Sequence, residues 1–393
     1  MSPGSRLVKK PSPQPKRILC VSFSPIYADS RVLRQIEVLR QHGEVTTVGY
    51  GPTPEGVARH IQVPDTASSL PETPIGVAKL ALRLHGAVEL TAPGEKAVRR
   101  AAVESGPYDL VVANDARALP LAFAAAGEAP VLADMHEWAA EERATVLVWR
   151  LLVGPYFEHL CKKYLPRAAA VTSVSAGLAG LYTERYGVAT EVVRNAADLR
   201  DLKPTPVDPN VIRLVHSGTA DAERNIMELI EAVDTLGNRF SLDLYLLEVP
   251  GGHLAAIRKR AASTSRVTVH DAVPPETLPT VLNHYDLGVF LYPLKTLSHL
   301  YHLPNKFFDF VQARLGLVFS PAPEIEAHIG QYGLGLITSG TTADALVEAL
   351  RDLTADDVMG FKQAADRSAR ALSSEPDRAT QSALVARLLS THQ

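Results

Sequence analysis

The stretch ILCVSFSPIYADSRVLRQIEVLRQHGEVTTVGY, residues Ile18–Tyr50, reads as strand, helix, strand. ILCVSF (Ile18–Phe23) is a short apolar run of the kind that is buried on both faces of a sheet. In RVLRQIEVLRQHG (Arg31–Gly43), Val32, Leu33, Ile36 and Leu39 share one helical face, and Gly43 is the stop. EVTTVGY (Glu44–Tyr50) is the next strand. Strands alternating with helices imply parallel sheets with right-handed crossovers.

The same theme recurs along nearly the whole chain. LVVAND (Leu110–Asp115), PVLADMH (Pro130–His136) and AVTSVS (Ala170–Ser175) each end in a polar residue where a loop must begin. A Pro- and Asp-rich segment of weak periodicity, Asn195–Asn210, is the best boundary. Beyond it come VIRLVHSG (Val211–Gly218), LDLYLLE (Leu242–Glu248), RVTVHD (Arg266–Asp271), DLGVFLY (Asp286–Tyr292) and LGLVFS (Leu315–Ser320). Helical patterns cover Ile226–Leu236, Pro275–His284, Lys306–Arg314, Ala343–Leu353 and Ala379–Leu389. The expected organisation is a loose tail over 1–16, a doubly wound domain over 17–197, a linker over 198–210, a second doubly wound domain over 211–374 and a terminal helical segment over 375–393. Such sheets take ligands at the carboxyl ends of their strands, where the strand order reverses. Two facing halves would form one cleft lined by the polar residues that end each strand.

Composition narrows the function classes. The chain has 393 residues, 46% of them apolar and 21% charged, which is ordinary globular usage and suits two domains. A formal charge of -3 leaves no global basic surface, so nucleic acid is not expected as a partner. The two cysteines, Cys20 and Cys161, build neither a disulfide framework nor a zinc site and fit a reducing compartment. There is no signal-peptide pattern and no apolar run long enough to span a bilayer, so a soluble cytoplasmic protein is expected. WRLLVGPYFEHLCKKYLPR (Trp149–Arg167) mixes aromatic and basic residues. It reads either as a peripheral contact with the inner membrane face, where a lipid-linked acceptor would be met, or as a helix packed on the sheet with a solvated basic end. Packing is the favoured reading, because any packed helix needs such an apolar face.

Four places carry residues suited to chemistry. YPLKTLSHLYHLPNKFFDFVQARLGLVFS (Tyr292–Ser320) places a Ser/His/Tyr loop before a helix that starts near Lys306. Free N–H groups at a helix start, the macrodipole and the Lys306 charge suit a diphosphate, and Asp309 suits a ribose diol. An ordinary helix start, with Asn305 as cap and Asp309 as a first-turn acid, explains the same letters equally well. In LVHSGTADAERN (Leu214–Asn225), Gly218 lets a ligand approach the backbone, and Arg224, at the start of the next helix, can fork onto phosphate oxygens; a plain strand-to-helix turn with a surface arginine is the favoured alternative on these letters alone. In ADMHEW (Ala133–Trp138), His136 and Glu137 follow a buried strand directly, and His136 can exchange a proton with a sugar hydroxyl, although a lone histidine is more often structural. Asp29, Arg31 and Asp115 follow other strand ends and are candidates for acceptor contacts, with helix capping and turn formation as the alternatives. The chain has no D-x-D, H-E-x-x-H, C-x-x-C or G-x-S-x-G, so neither a metal-centred mechanism nor a nucleophile elbow is expected.

In order and spacing these pieces resemble the GT-B glycosyltransferases, in particular the large retaining group with nucleotide-sugar donors. The matching parts are D-S-R-V (Asp29–Val32), D-M-H-E (Asp134–Glu137), V-x-R-N-A (Val192–Ala196), H-S-G…R-N (His216–Asn225) and L-P-N-K-F-F-D-F-V (Leu303–Val311), covering roughly residues 17 to 390. The resemblance implies two Rossmann-like domains with the site between them and a last helix that crosses back. It implies a nucleotide-diphosphate donor, UDP-sugar foremost, held by Gly218, Arg224, Asn305 and Lys306, with Asp309 on the ribose. His136 would contact the transferred sugar, and Asp29, Arg31, Asp115, Glu137 and His302 would make acceptor or sugar contacts. The implied reaction is hexosyl transfer with retained anomeric configuration, without metal or other cofactor, to a polysaccharide, glycolipid or small molecule. Relatives carry E-x7-E; here Asp309 holds the second place and Tyr301 the first. SFSPIYADS replaces their usual glycine-rich loop, and Thr219 stands where they often carry a basic residue. A nucleotide-sugar epimerase of the same architecture and a non-catalytic partner subunit remain as alternatives.

Overall fold

The computed structural model describes residues 14–221, 224–301 and 303–391. The first sheet contains β1 (Arg17–Pro25), β2 (Glu44–Tyr50), β3 (Arg59–Val63), β4 (Leu110–Asn114), β5 (Val131–Met135), β6 (Ala170–Ser173) and β7 (Thr190–Val192), in the order β3-β2-β1-β4-β5-β6-β7. The second contains β8 (Ile212–Thr219), β9 (Phe240–Leu247), β10 (Val267–Asp271), β11 (Leu287–Phe290), β12 (Gly316–Phe319) and β13 (Gly335–Ile337), in the order β10-β9-β8-β11-β12-β13. The ladders are parallel, and each sheet winds outward in both directions from its first strand. The order therefore reverses at β1/β4 in one sheet and at β8/β11 in the other, which is the doubly wound arrangement expected from the sequence.

Every strand expected from an apolar run forms within two residues of its expected ends. The three strands not expected, β3, β7 and β13, are all outermost in their sheets and only three to five residues long. An outer strand needs no continuous apolar run, because one edge and part of each face stay wet. The helix expected over Pro275–His284 is confined to Leu278–Leu282, and the terminal helix is longer than expected, Ser374–Ser390. Chain contacts divide the molecule into two compact units. One runs to Asp134 and includes Arg167–Ala169 and the residues from Ser382 on; the other comprises Met135–Pro166 and Ala170–Gln381.

The second sheet has a core on each face. Alternation along β8 sends Leu214 into a core with Ile230, Leu242, Leu244 and Val289, while Val215 joins Phe307, Phe308, Phe310 and Phe319 on the other side. The segment expected to be a linker is tied down at the foot of β11. Asp286 accepts two bonds from the Arg213 guanidinium, and the buried Lys362 ammonium donates to Tyr285 O, Thr205 Oγ1 and Asp286 Oδ1. Within Trp149–Arg167, Trp149–Val153 is π-helical and Gly154–Tyr164 α-helical. Tyr156, Phe157, Leu160, Cys161 and Tyr164 are buried while Lys162 and Lys163 are exposed, the arrangement of a packed helix. No helix among the described residues is long and apolar enough to cross a membrane.

One close approach positions the later site. Gly288, in the middle of β11, lies directly under the Phe310 ring, and a Cβ there would collide with it. That absence of a side chain lets the helix Asn305–Gln312 settle onto the strand. Replacing Gly288 with Ala should therefore force this helix off the sheet and lower stability by roughly 1–3 kcal/mol. Urea unfolding of Gly288→Ala beside the wild type measures it, and an unchanged midpoint would show that the helix position does not depend on the glycine.

Candidate functional site

The switch point of the second sheet gathers the functional groups. β8 and β11 pair through Leu214 and Val215 on one strand and Leu287 and Gly288 on the other. One residue further along β8, His216 is fully buried, and its Nδ1 lies 2.9 Å from the carbonyl of Val289. A carbonyl only accepts, so Nδ1 carries the proton and Nε2 presents a lone pair. The imidazole stacks on Phe290 at 5.9 Å and 5° between planes. Nε2 has no hydrogen-bond partner among the described residues. Burial above all, then the charges of Lys306 and Arg224, pushes the imidazole down from 6.5 to about 4 against the opposing bond to Val289. His216 is therefore neutral near pH 7, with two cations close enough to keep it so.

Arg224 and Lys306 thus converge on one place. The Arg224 guanidinium lies over the Tyr292 ring at 4.8 Å and the Phe290 ring at 5.7 Å, a cation–π seat that holds its plane. Arg224 precedes the helix Ile226–Leu236 and does not start it; Asn225, with φ 50° and ψ 33°, makes the left-handed turn into it. Lys306 Nζ lies 3.5 Å from Asp309 Oδ2, both side chains being about four-fifths covered. A Cβ on Gly218 would stand 3.6 Å from both His216 Nε2 and Lys306 Cε, so the glycine leaves open the space between these two groups.

Several expectations are corrected here. The helix begins at Asn305 behind Pro304, which leaves Asp309 one turn in and outside the first turn. Asp309 acts on Lys306 rather than on the helix start. Asn305 caps nothing; its Oδ1 accepts from Asn195 Nδ2 at 2.8 Å. Arg31, expected among the acceptor contacts, is buried and closed on Asp134 through Nε at 3.0 Å and Nη2 at 2.6 Å, with Gln35 Nε2 on the same carboxylate. Asp29 caps the helix Ser30–Arg40 by accepting from Val32 N.

The remaining candidates are placed as follows. Asp115 sits at the end of β4 with φ 64° and ψ 167°, a region that costs a residue other than glycine about 1–3 kcal/mol. His136 is half-buried and Glu137 exposed, directly after β5 as expected. They are anchored from behind: Glu137 O accepts from Tyr182 OH, and Trp138 packs on the Tyr182 and Tyr186 rings. His302 lies outside the described residues. Tyr301, in the place of the expected acid, packs its ring against Gly177, and its carbonyl accepts from Ser175 Oγ. The loop ahead of it is fastened by Trp138 N to Ser298 Oγ and by Leu297 N to Glu141 Oε2, both 2.9 Å. His216 is absent from the sequence-predicted site; its one signal in the sequence is a polar residue where the apolar run of β8 stops, at the sheet's centre.

Solved structures share this architecture. A glycosyltransferase of Rickettsia africae superposes with a TM-score of 0.67 at 13% identity, over 95% of this chain and 99% of that one. HepE of Anabaena, solved with UDP and glucose, gives 0.68 at 14% over 96% and 100%. Sucrose-phosphate synthase of Thermosynechococcus elongatus gives 0.68 at 15%, also over 96% and 100%. The chain has the GT-B fold. No protein-family model matches it, and no curated protein matches it in sequence. The switch point that gathers His216, Arg224 and Lys306 belongs to the second sheet.

The low proton affinity of His216 has a consequence for stability. As pH falls below 6.5, the unfolded chain protonates this residue while the native one, near 4, does not, so native stability is lost as pH falls through that window. The loss reaches up to about 3 kcal/mol by pH 4. His216→Phe keeps the stack on Phe290 but removes the titration. Urea unfolding from pH 7.5 to 4.5 should show a shallower decline in the variant; parallel curves would mean that His216 titrates normally.

Proposed function

We propose that this protein is a metal-independent retaining glycosyltransferase that moves a hexosyl group from a nucleotide-diphosphate sugar, UDP-sugar foremost, to a glycan, glycolipid or small-molecule acceptor. The observation that carries the reading is the convergence of Arg224 and Lys306 on His216 at the β8/β11 switch point, beside Gly218. A pair of cations at the carboxyl edge of a doubly wound sheet is suited to a diphosphate. The fold supports it, and HepE of Anabaena, of the same fold, was solved with UDP and glucose.

The chemistry asks little covalent work of the protein. The bond between the sugar's anomeric carbon and the diphosphate oxygen breaks, and its electron pair leaves with the diphosphate. The acceptor hydroxyl forms the new bond on the same face, and its proton passes to the departing phosphate oxygen. The barrier is then lowered by positioning and by neutralising charge that grows in the transition state. Arg224, seated over Tyr292 and Phe290, and Lys306, steered by Asp309, supply that charge. Asp309 also faces the ribose in this reading, and His136 and Glu137 face the transferred sugar. The cytoplasm, with its nucleotide-sugar pools, is the corresponding compartment.

Thermal shift with UDP, GDP and ADP identifies the donor base, since selective binding to the native state raises the melting point. Incubation with radiolabelled UDP-sugars then reads transfer or donor hydrolysis. Arg224→Ala and Lys306→Ala should each reduce turnover roughly 10²–10³-fold while leaving the melting point of the free protein nearly unchanged. Near-normal turnover in either variant removes that residue from the mechanism. Isomerised sugar would identify an epimerase instead, and no nucleotide binding a non-catalytic subunit.

A further inference from the structure

His216 has features that a strand residue does not need. Its ring is fully buried, its Nδ1–H is committed to Val289 O, and its Nε2 lone pair is unpartnered beside the space over Gly218. The tautomer cannot switch, because Nδ1 without its proton would face a carbonyl lone pair. Nε2 can therefore be satisfied in only two ways: a ligand donates to it, or it acquires a proton. A nucleoside diphosphate offers only acceptor oxygens from its phosphates. Those oxygens would oppose a neutral Nε2 and attract a protonated one.

We propose that His216 takes up a proton from solvent when a nucleoside diphosphate enters the space over Gly218, and donates its new Nε2–H to a phosphate oxygen. The site thereby gains a third cation beside Arg224 and Lys306 only while the ligand is present. This inference rests on the diphosphate reading of the site and adds a proton to its binding equilibrium.

The electrostatics of the pocket fit such a switch. Lys306 faces the imidazole from the helix Asn305–Gln312, with Asp309 one turn on against its ammonium. Arg224 faces it from the segment ahead of the helix Ile226–Leu236. From β11 come the Val289 carbonyl and the Phe290 ring. In the empty pocket both ionised neighbours are cations and oppose a proton on His216, in addition to its burial. A ligand with two or more negative charges reverses the sign of that local potential. The imidazolium then keeps its bond to Val289 and makes a charge-assisted one to phosphate, so no polar atom of the ring is left unpaired. The proton returns to solvent when the diphosphate leaves.

Calorimetric titration of the full chain with UDP at pH 7.5, where free UDP is already ionised, tests this in two buffers of different ionisation heat. The buffer dependence should report uptake of about one proton per UDP bound. His216→Phe should bind UDP roughly 10–100-fold more weakly, with uptake near zero. His216→Gln, whose amide N–H₂ can donate without titrating, should recover part of the affinity and none of the uptake. Imidazole nitrogen spectra of the wild type, in which His216 is one of 13 histidines, give a readout that needs no variant: the His216 pattern should change from neutral Nδ1–H to imidazolium on adding UDP. UDP binding without proton uptake, or an unchanged neutral spectrum, overturns this inference and leaves the transferase reading standing. A wild type that binds none of UDP, GDP and ADP overturns both.

Discussion

The seating of Phe310 on Gly288 is the contact on which the site depends. The helix Asn305–Gln312 is only eight residues long, and a helix of that length is marginal in water without tertiary support. Phe307, Phe308, Phe310 and Val311 are all fully buried and supply that support. Their burial anchors the helix over β11 and leaves Lys306 on its remaining wet side, next to the end of β8. Without the close approach at Gly288, the lysine would have no fixed relation to His216, and the positive pocket would not exist.

A second constraint follows from the first. Two cations near a buried imidazole raise the energy of any third positive charge there and, with its burial, hold His216 neutral. The protein keeps this arrangement by other means: Arg224 spreads its charge over two aromatic faces, and Asp309 offsets Lys306 from one turn away. The switch point of the first sheet is built in the opposite way. There Arg31 and Asp134 neutralise each other in the interior, and Gln35 and Asn114 extend the network. A buried, paired guanidinium holds strands and helix in place. Two cations that share a single carboxylate, Asp309, leave a net positive charge there for binding. The two sheets share a topology and differ in which of these they place at the point of reversal.

Much of the fold was legible in the letters. An apolar run such as Ile18–Phe23 reads as an interior parallel strand, because a strand buried on both faces needs apolar residues at successive positions. The outer strands β3, β7 and β13 were not legible, because their half-exposed residues resemble loop composition. Among the site residues, Arg224 and Lys306 stood out as cations at strand-to-helix junctions. Arg31 is a weaker candidate of the same kind, and it is interior and paired. The letters around Arg31 and Arg224 look alike because both follow a central strand; only the presence of Asp134 beside one of them separates their roles.

The sequence by itself determined the alternation of elements, hence two doubly wound sheets, because burial periodicity is local and each strand announces its own two faces. The tertiary structure alone decided which of the polar strand ends meet. Lys306 and Arg224 lie 82 positions apart in the chain, and their convergence on His216 depends on the depth to which one helix sinks onto a glycine. His216 shows the same division most plainly: a histidine at a strand end is an ordinary letter, and its missing proton and open lone pair arise only from the groups that folding brings around it.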